Sequence, residues 1–348
     1  MRIGYAGLAA EAMGLRGRLA GGVIALTYVG EIAALCTAFC WAGSSLSFTA
    51  AGKRIGSVPL NLIRLVMAMA MLSVFVWIFR GRLLPTDASG HNWLWLSLSG
   101  LAGFTFGDLF LFRALVLLEA RLTMLVMALC PPMAALIAWA AIGEALGPWS
   151  WLGIAMTVAG VAWVVTERHD ESSSSVVAQR GIVAPRDGRA GARVAPLGVA
   201  LALLGAVGQA GGLVLSKIGL GEVKGFGIGK YDAAPATQIR IIAGIVGFVV
   251  IFTVLRWWPR VAAAVKHRGG MGLATLGAAL GPFIGVTLSL VAVRNAQTGV
   301  AATIMAISPI ILIPASAIIH KERITWRAVS GAVLAIGGVA MLFLCPSP

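Results

Sequence analysis

Charge is what this sequence has least of. Only 11% of its residues are Asp, Glu, Lys or Arg, where a soluble domain carries about a quarter. A chain so poor in charge cannot clothe a water-facing surface, which excludes an ordinary soluble globular protein. Acids are the scarcer sign, 13 against 27 Lys and Arg. Histidine and cysteine number four each, and neither a His nor a second Cys pair stands at metal-ligand spacing from Cys36 and Cys40. Cys130 and Cys345 also lie in apolar runs, so all four read as small buried hydrophobes, not as a disulfide framework. No metal and no cofactor are expected. A phosphate loop is excluded too: Lys224 stands where the first glycine of such a loop would precede Gly229-Lys230, and Tyr231 where Ser or Thr would follow.

What is present is apolar: 59% hydrophobic residues and a mean hydropathy of +0.92. A bilayer-spanning helix needs about 20 such residues, and most of the chain divides into pieces of that kind. Residues 1–31 carry Arg2, Arg16 and Arg18 before an apolar run. Without a small-residue cleavage site and a soluble domain behind it, this reads as a tail leading into the first span, with Met13 as a second candidate start. Spans are predicted at 32–51, 59–79, 93–118, 122–142 and 149–166. The composition then shifts to serines, arginines and acids over 167–196, a flexible linker. Five further spans follow near 197–216, 235–255, 271–293, 299–319 and 326–345. The net charge of +14 sits mostly in the connections, where it meets lipid headgroups. No domain is left to grip nucleic acid.

The chain contains one unit twice. A shift of 178 positions lays Gly103 on Gly281, Gly107 on Gly285, Pro131 on Pro309, Glu144 on Glu322, Gly153 on Gly331 and Gly160 on Gly338, with no gap. Upstream the match is looser: Trp41-Ala42-Gly43 against Gln209-Ala210-Gly211, and Pro59 to Arg64 against Pro235 to Arg240. The predicted fold is an all-α membrane protein of ten transmembrane helices, a first repeat at 32–166 and a second at 197–345. Five spans per repeat place the second copy upside down. Inverted repeats are a frequent plan of secondary transporters, with the substrate site near the midplane between them.

Several residues could carry chemistry there. Gly103-x-x-x-Gly107 and Gly281-x-x-x-Gly285 permit close helix approach, as plain packing or as surfaces that slide. Pro131, Pro132, Pro309 and Pro314 interrupt apolar helices; each removes a backbone donor, giving a simple kink or a broken helix beside a cavity. Arg64 and Arg240 hold equal places in the second spans, where they could snorkel to headgroups or form a positive lining for an anionic group. Asp108 and Arg113 lie deeper in the third span and have no charged counterpart in the second half. Asp108 could form a fixed ion pair with Arg113 or Arg64, bind a substrate amino group, or exchange a proton. Glu144 and Glu322 sit at span ends, where capping or docking is the expected role. Ser44, Ser45, Gln209, Gln238, Asn295, Gln297, Thr298 and Ser308, with Trp41 and Trp139 as aromatic walls, would make a modestly polar chamber.

These residues resemble a known family. Trp41-Ala42-Gly43-Ser44 is similar to the Trp-Gly-Ser element in the first span of EamA-like proteins of the drug/metabolite transporter superfamily, and Pro59 with Arg64 to their second-span element. Gly107-Asp108, Ala114-Leu115, Pro131, Glu144, Gly153 and Gly160 resemble the pattern that closes each repeat. The second half departs from it at Gln209, in place of the tryptophan, and in having no acid to match Asp108. The resemblance implies a ten-helix permease of the cell (inner) membrane, not an enzyme. It would move a small metabolite, often an amino acid or related compound and often outward, through a chamber open to one side at a time. The partners implied are that small-molecule substrate, the lipid bilayer and protons as a candidate coupling ion; monomer and homodimer both stay open. Its termini would lie inside, whereas the Lys and Arg count over the connections favours termini outside. A membrane receptor or scaffold and an intramembrane enzyme are the alternatives. The enzyme would want a dense set of His, Asp or Ser partners, and the four histidines lie at span ends or in loops.

Overall fold

The computed structural model describes residues 28–143, 146–165, 189–221, 231–295, 304–320 and 326–344. The helices are α1 (Val29–Ile55), α2 (Ser57–Arg80), α3 (Gly90–Gly100), α4 (Asp108–Met127), α5 (Cys130–Ile142), α6 (Pro148–Val165), α7 (Arg189–Gly219), α8 (Ala233–Val254), α9 (Trp258–Val265), α10 (Arg268–Ala278), α11 (Val286–Asn295), α12 (Ser308–His320) and α13 (Trp326–Leu344). Two π-helical segments, Leu101–Gly107 and Ala279–Gly285, join α3 to α4 and α10 to α11. Among the described residues there is no strand.

Seven helical stretches are long and apolar enough to cross a membrane, and two shorter apolar helices cover Pro148–Val164 and Val329–Met341. Large apolar side chains point outward along them, among them Ile78 and Val254. Helices that are apolar all round suit a lipid surround, and the chain is a multi-pass membrane protein.

Local chemistry sets the element ends. Gly56, at φ 85°, turns the chain between α1 and α2, and Gly81 closes α2 in the left-handed region. Ser89 caps α3: its hydroxyl accepts from the Asn92 amide at 3.2 Å while the Asn92 side chain accepts from the Ser89 amide at 3.0 Å. Pro131 and Pro132 fall in the first turn of α5, directly after a turn at Ala128-Leu129. Pro309 falls in the first turn of α12, after a turn at Ala306-Ile307, the same place in the second repeat. Proline costs least in a first turn, where its missing amide would lack a partner anyway. Pro314 lies inside α12, which runs through it.

Two predicted boundaries differ. A connection was expected between Leu118 and Leu122, yet α4 is helical throughout. Glu119, Ala120 and Arg121 are good helix formers, and no Gly or Pro interrupts them. The predicted linker overlaps α7, which starts at Arg189. Linker residues 167–188, together with Glu144, Glu322, Gln297 and Thr298, lie outside the described residues.

The halves embrace reciprocally. α1 packs on α10, the second π segment and α11, while α7 packs on α3, the first π segment and α4. The start of α3 meets the end of α7, with Asn92 donating to the Gly219 carbonyl at 2.8 Å. The start of α10 meets the end of α1, where Gly270 lies against Ile55. The last helices, α6 and α13, cross antiparallel: Gly160 lies against the backbone of Gly331 and Ala335, and Gly338 against that of Gly153 and Thr157. At the α3 end of the molecule a polar knot ties the halves together. Arg80 pairs with Asp87 at 2.7 Å and with Asp232 at 3.5 Å, and the Tyr231 hydroxyl donates to Asp87 at 3.2 Å. Burial, and then the Asp87 charge, push the Tyr231 phenol up, so it remains a donor.

Candidate functional site

Two features aim Asp108 at the seam between the halves. It is the residue at which the first π segment gives way to α4, and the Asn61 amide holds its carbonyl at 3.3 Å. A π segment shifts the helix register and recurs at functional sites. Gly103 and Gly107 of that segment carry no side chain, so α7 comes onto the backbone itself. A Cβ on Gly208 would stand 2.5 Å from the Gly107 Cα. This approach lets Gln209 of the second half reach a carboxylate of the first.

Both Asp108 oxygens are then taken. Oδ1 accepts from Gln209 Nε2 at 2.5 Å, and Oδ2 forms an ion pair with Arg64 Nη2. Arg64 Nε donates to Asn61 Oδ1 at 3.3 Å, the residue one turn before it on the same helix face. The Arg64 guanidinium is walled by aromatic faces, 4.5 Å from the Phe112 centroid, 5.7 Å from Phe48 and 5.9 Å from Phe104. Both members of the ion pair are 4% exposed. Charges so deep are costly unless paired and hydrogen-bonded, and here they are both.

Arg240, from α8, faces the same cluster. Its guanidinium carbon lies over the Phe104 ring, 4.9 Å from the centroid, and within electrostatic reach of Asp108. Among the described residues it makes no ion pair with Asp108, and its buried Nε has no hydrogen-bond partner. Two arginines and one aspartate leave this cluster with one net positive charge.

The second-half equivalent is uncharged. Gly281 lies against Ser44, whose hydroxyl donates to the Gly277 carbonyl at 3.1 Å, and Gly285 lies against the Trp41 ring. Val286 stands in the place of Asp108. Buried Ser308 donates to the Ala38 carbonyl at 3.2 Å. Ser44, Trp41 and Ser308 thus tie α1 to the second half.

Three candidates stand apart. Arg113 is exposed: five positions beyond Asp108 turn it about 140° round the helix. Trp139 is 49% exposed and packs edge-on against Trp151, with centroids 5.9 Å apart. Asn295 is exposed at the end of α11 and donates to the Val291 carbonyl. Gln238 is fully buried and donates to the Leu83 carbonyl at 2.8 Å. Residues the sequence reading passed over are Asn61, Phe48, Phe104 and Phe112; only Asn61, at helical spacing from Arg64, left a signal. Among the described residues no group of His, Cys, Asp or Glu could hold a metal ion.

The family model described as EamA-like transporter family matches residues 28–166 and again 196–344. No curated protein matches the chain. A solved structure titled "Crystal structure of protein" is similar in fold, with a TM-score of 0.55 and 17% identity over 92% of this chain and 96% of that one.

Proposed function

Because the chain belongs to the EamA-like transporter family, we propose that it is a permease that carries a small metabolite, an amino acid or related compound, outward across the cell membrane by alternating access. The observation that carries this reading is the Asp108 cluster. It holds charge at membrane depth and draws Arg64 from one repeat and Gln209 from the other. A contact of that kind must be remade if the repeats rock against each other, which couples the site to the motion. The reading takes the architecture as two inverted five-helix repeats, supported by the antiparallel crossing of α6 and α13, and places the termini inside.

The test is flux. Full-length protein in liposomes should move labelled amino acids or their analogues faster than protein-free liposomes, and cells expressing it should resist a subset of toxic amino-acid analogues. Protein-dependent flux of no solute in the panel would sink the reading. A reporter enzyme fused after Pro348 that is active only outside the membrane would reverse the orientation.

A further inference from the structure

Among the described residues, Arg240 is a buried cation with an unpaired guanidinium nitrogen. It is 7% exposed, its Nε lacks a hydrogen-bond partner among the described residues, and its guanidinium carbon lies over the Phe104 ring. The protein built the neighbouring Arg64 quite differently, with a carboxylate, an amide oxygen and three aromatic faces. Arg240 also lies between the halves, where transporters built on inverted repeats hold their substrates. Its guanidinium stands beside the Gly103 backbone and Gln209, at the seam of the halves.

We propose that Arg240 holds the negative group of the substrate, and that the substrate is a small carboxylate with one net negative charge. The inference rests on the permease reading and names its solute. A guanidinium presents a planar fork that matches a carboxylate with two parallel hydrogen bonds. One negative charge neutralises the net positive charge of the cluster, whereas a doubly charged phosphate ester would leave a negative charge uncompensated at membrane depth. The amino acid of the same side chain carries no net charge and would leave that positive charge uncompensated. The site therefore favours a hydroxy acid over the amino acid of the same side chain.

The experiment measures binding to full-length protein in nanodiscs, by the shift of thermal unfolding with ligand concentration. The probes are phenyllactate, its amide, phenylalanine, phenylalaninamide and benzyl phosphate, and the matching leucine-derived acid, hydroxy acid and amides. The hydroxy acids should bind best and their amides about tenfold or more weaker, the loss expected for a charge-assisted pair. Arg240→Gln should lose the preference for acid over amide, and Arg240→Lys should keep part of it. The proposal is overturned if no hydroxy acid binds, if an amide or benzyl phosphate binds as tightly, or if Arg240→Gln binds like the wild type. Should Arg240→Gln not fold, phenylglyoxal modification of wild-type Arg240 replaces it. Protection by the hydroxy acid is expected, and equal modification with and without it overturns the site. Flux separates this proposal from the reading beneath it. Acid binding at Arg240 without flux removes the permease and leaves the site. Solute flux that Arg240→Gln leaves unchanged removes the site and leaves the permease.

Discussion

Thr157 donates its hydroxyl to the carbonyl of Ala335 at 3.2 Å, and Ala335 is the residue that holds its own place in the second repeat. Around this pair the contacts exchange: Gly160 meets Gly331, and Gly338 meets Gly153. Contacts in which each partner repeats the other's role mark a twofold relation. Here the relation is internal, and the two helices run in opposite directions.

Equivalent ends of the two halves should therefore lie on opposite faces of the membrane. Gly90 and Arg268 begin α3 and α10, both are exposed, and a Cβ added at Gly90 meets nothing within 4 Å. In a background with the four native cysteines replaced, Gly90→Cys and Arg268→Cys should react with a membrane-impermeant maleimide from opposite sides. Reaction from one side would refute the inversion.

The seam should be intolerant of a single methyl. In Gly208→Ala the new Cβ meets the Gly107 backbone, and overpacking of this kind costs about 1–3 kcal/mol. Gly211, in the same helix, has open space, so Gly211→Ala should be neutral or gain up to about 1 kcal/mol from helix propensity. Thermal unfolding in detergent compares the two, and equal stability would contradict the packing described.

Much of this frame is legible in the sequence because it is written in residues with backbone consequences. Gly107 with Gly285, and the prolines after the two matched turns, show at a fixed offset. Asp108 and Arg64 stand out because charge in an apolar run has few explanations. Which arginine pairs with Asp108 is not legible, since that depends on how α2 and α4 are rotated towards each other. The two π segments are equally hidden. They depend on which carbonyl each amide chooses, and tertiary contact decides that. Phe48, Phe104 and Phe112 look like any lipid-facing aromatic until Arg64 is seen among them.

The knot at the α3 end should respond to acid. Burial pushes the Asp87 carboxyl up, but a backbone hydrogen bond, the Arg80 charge and the Tyr231 hydroxyl outweigh it and hold the carboxyl below its usual range. A carboxyl that binds its proton less tightly when folded stabilises the fold above about pH 4, and loses that contribution as pH falls through its folded value. Asp87→Asn should cost about 1 kcal/mol or less at pH 7, because the pair is partly exposed. The cost should be smaller at pH 3. An unchanged difference between the two pH values would show that the charge is not what matters.

Asp108 should be the carboxylate on which the protein depends most. Asp108→Asn leaves Arg64 buried among aromatic rings without its counter-charge, and breaking one side of a buried pair costs about 3–5 kcal/mol. Arg64→Met in the same chain removes the orphaned charge and should return much of that stability. Transport tells a different story if Asp108 serves the cycle. The double variant would then stay inactive in liposomes although it folds, because nothing remains for Gln209 to couple to the other half through a carboxylate. Full transport by the double variant would reduce Asp108 to a structural partner of Arg64. Full transport by Asp108→Asn alone, with an imposed pH gradient, would exclude the carboxylate both as a proton carrier and as a substrate contact.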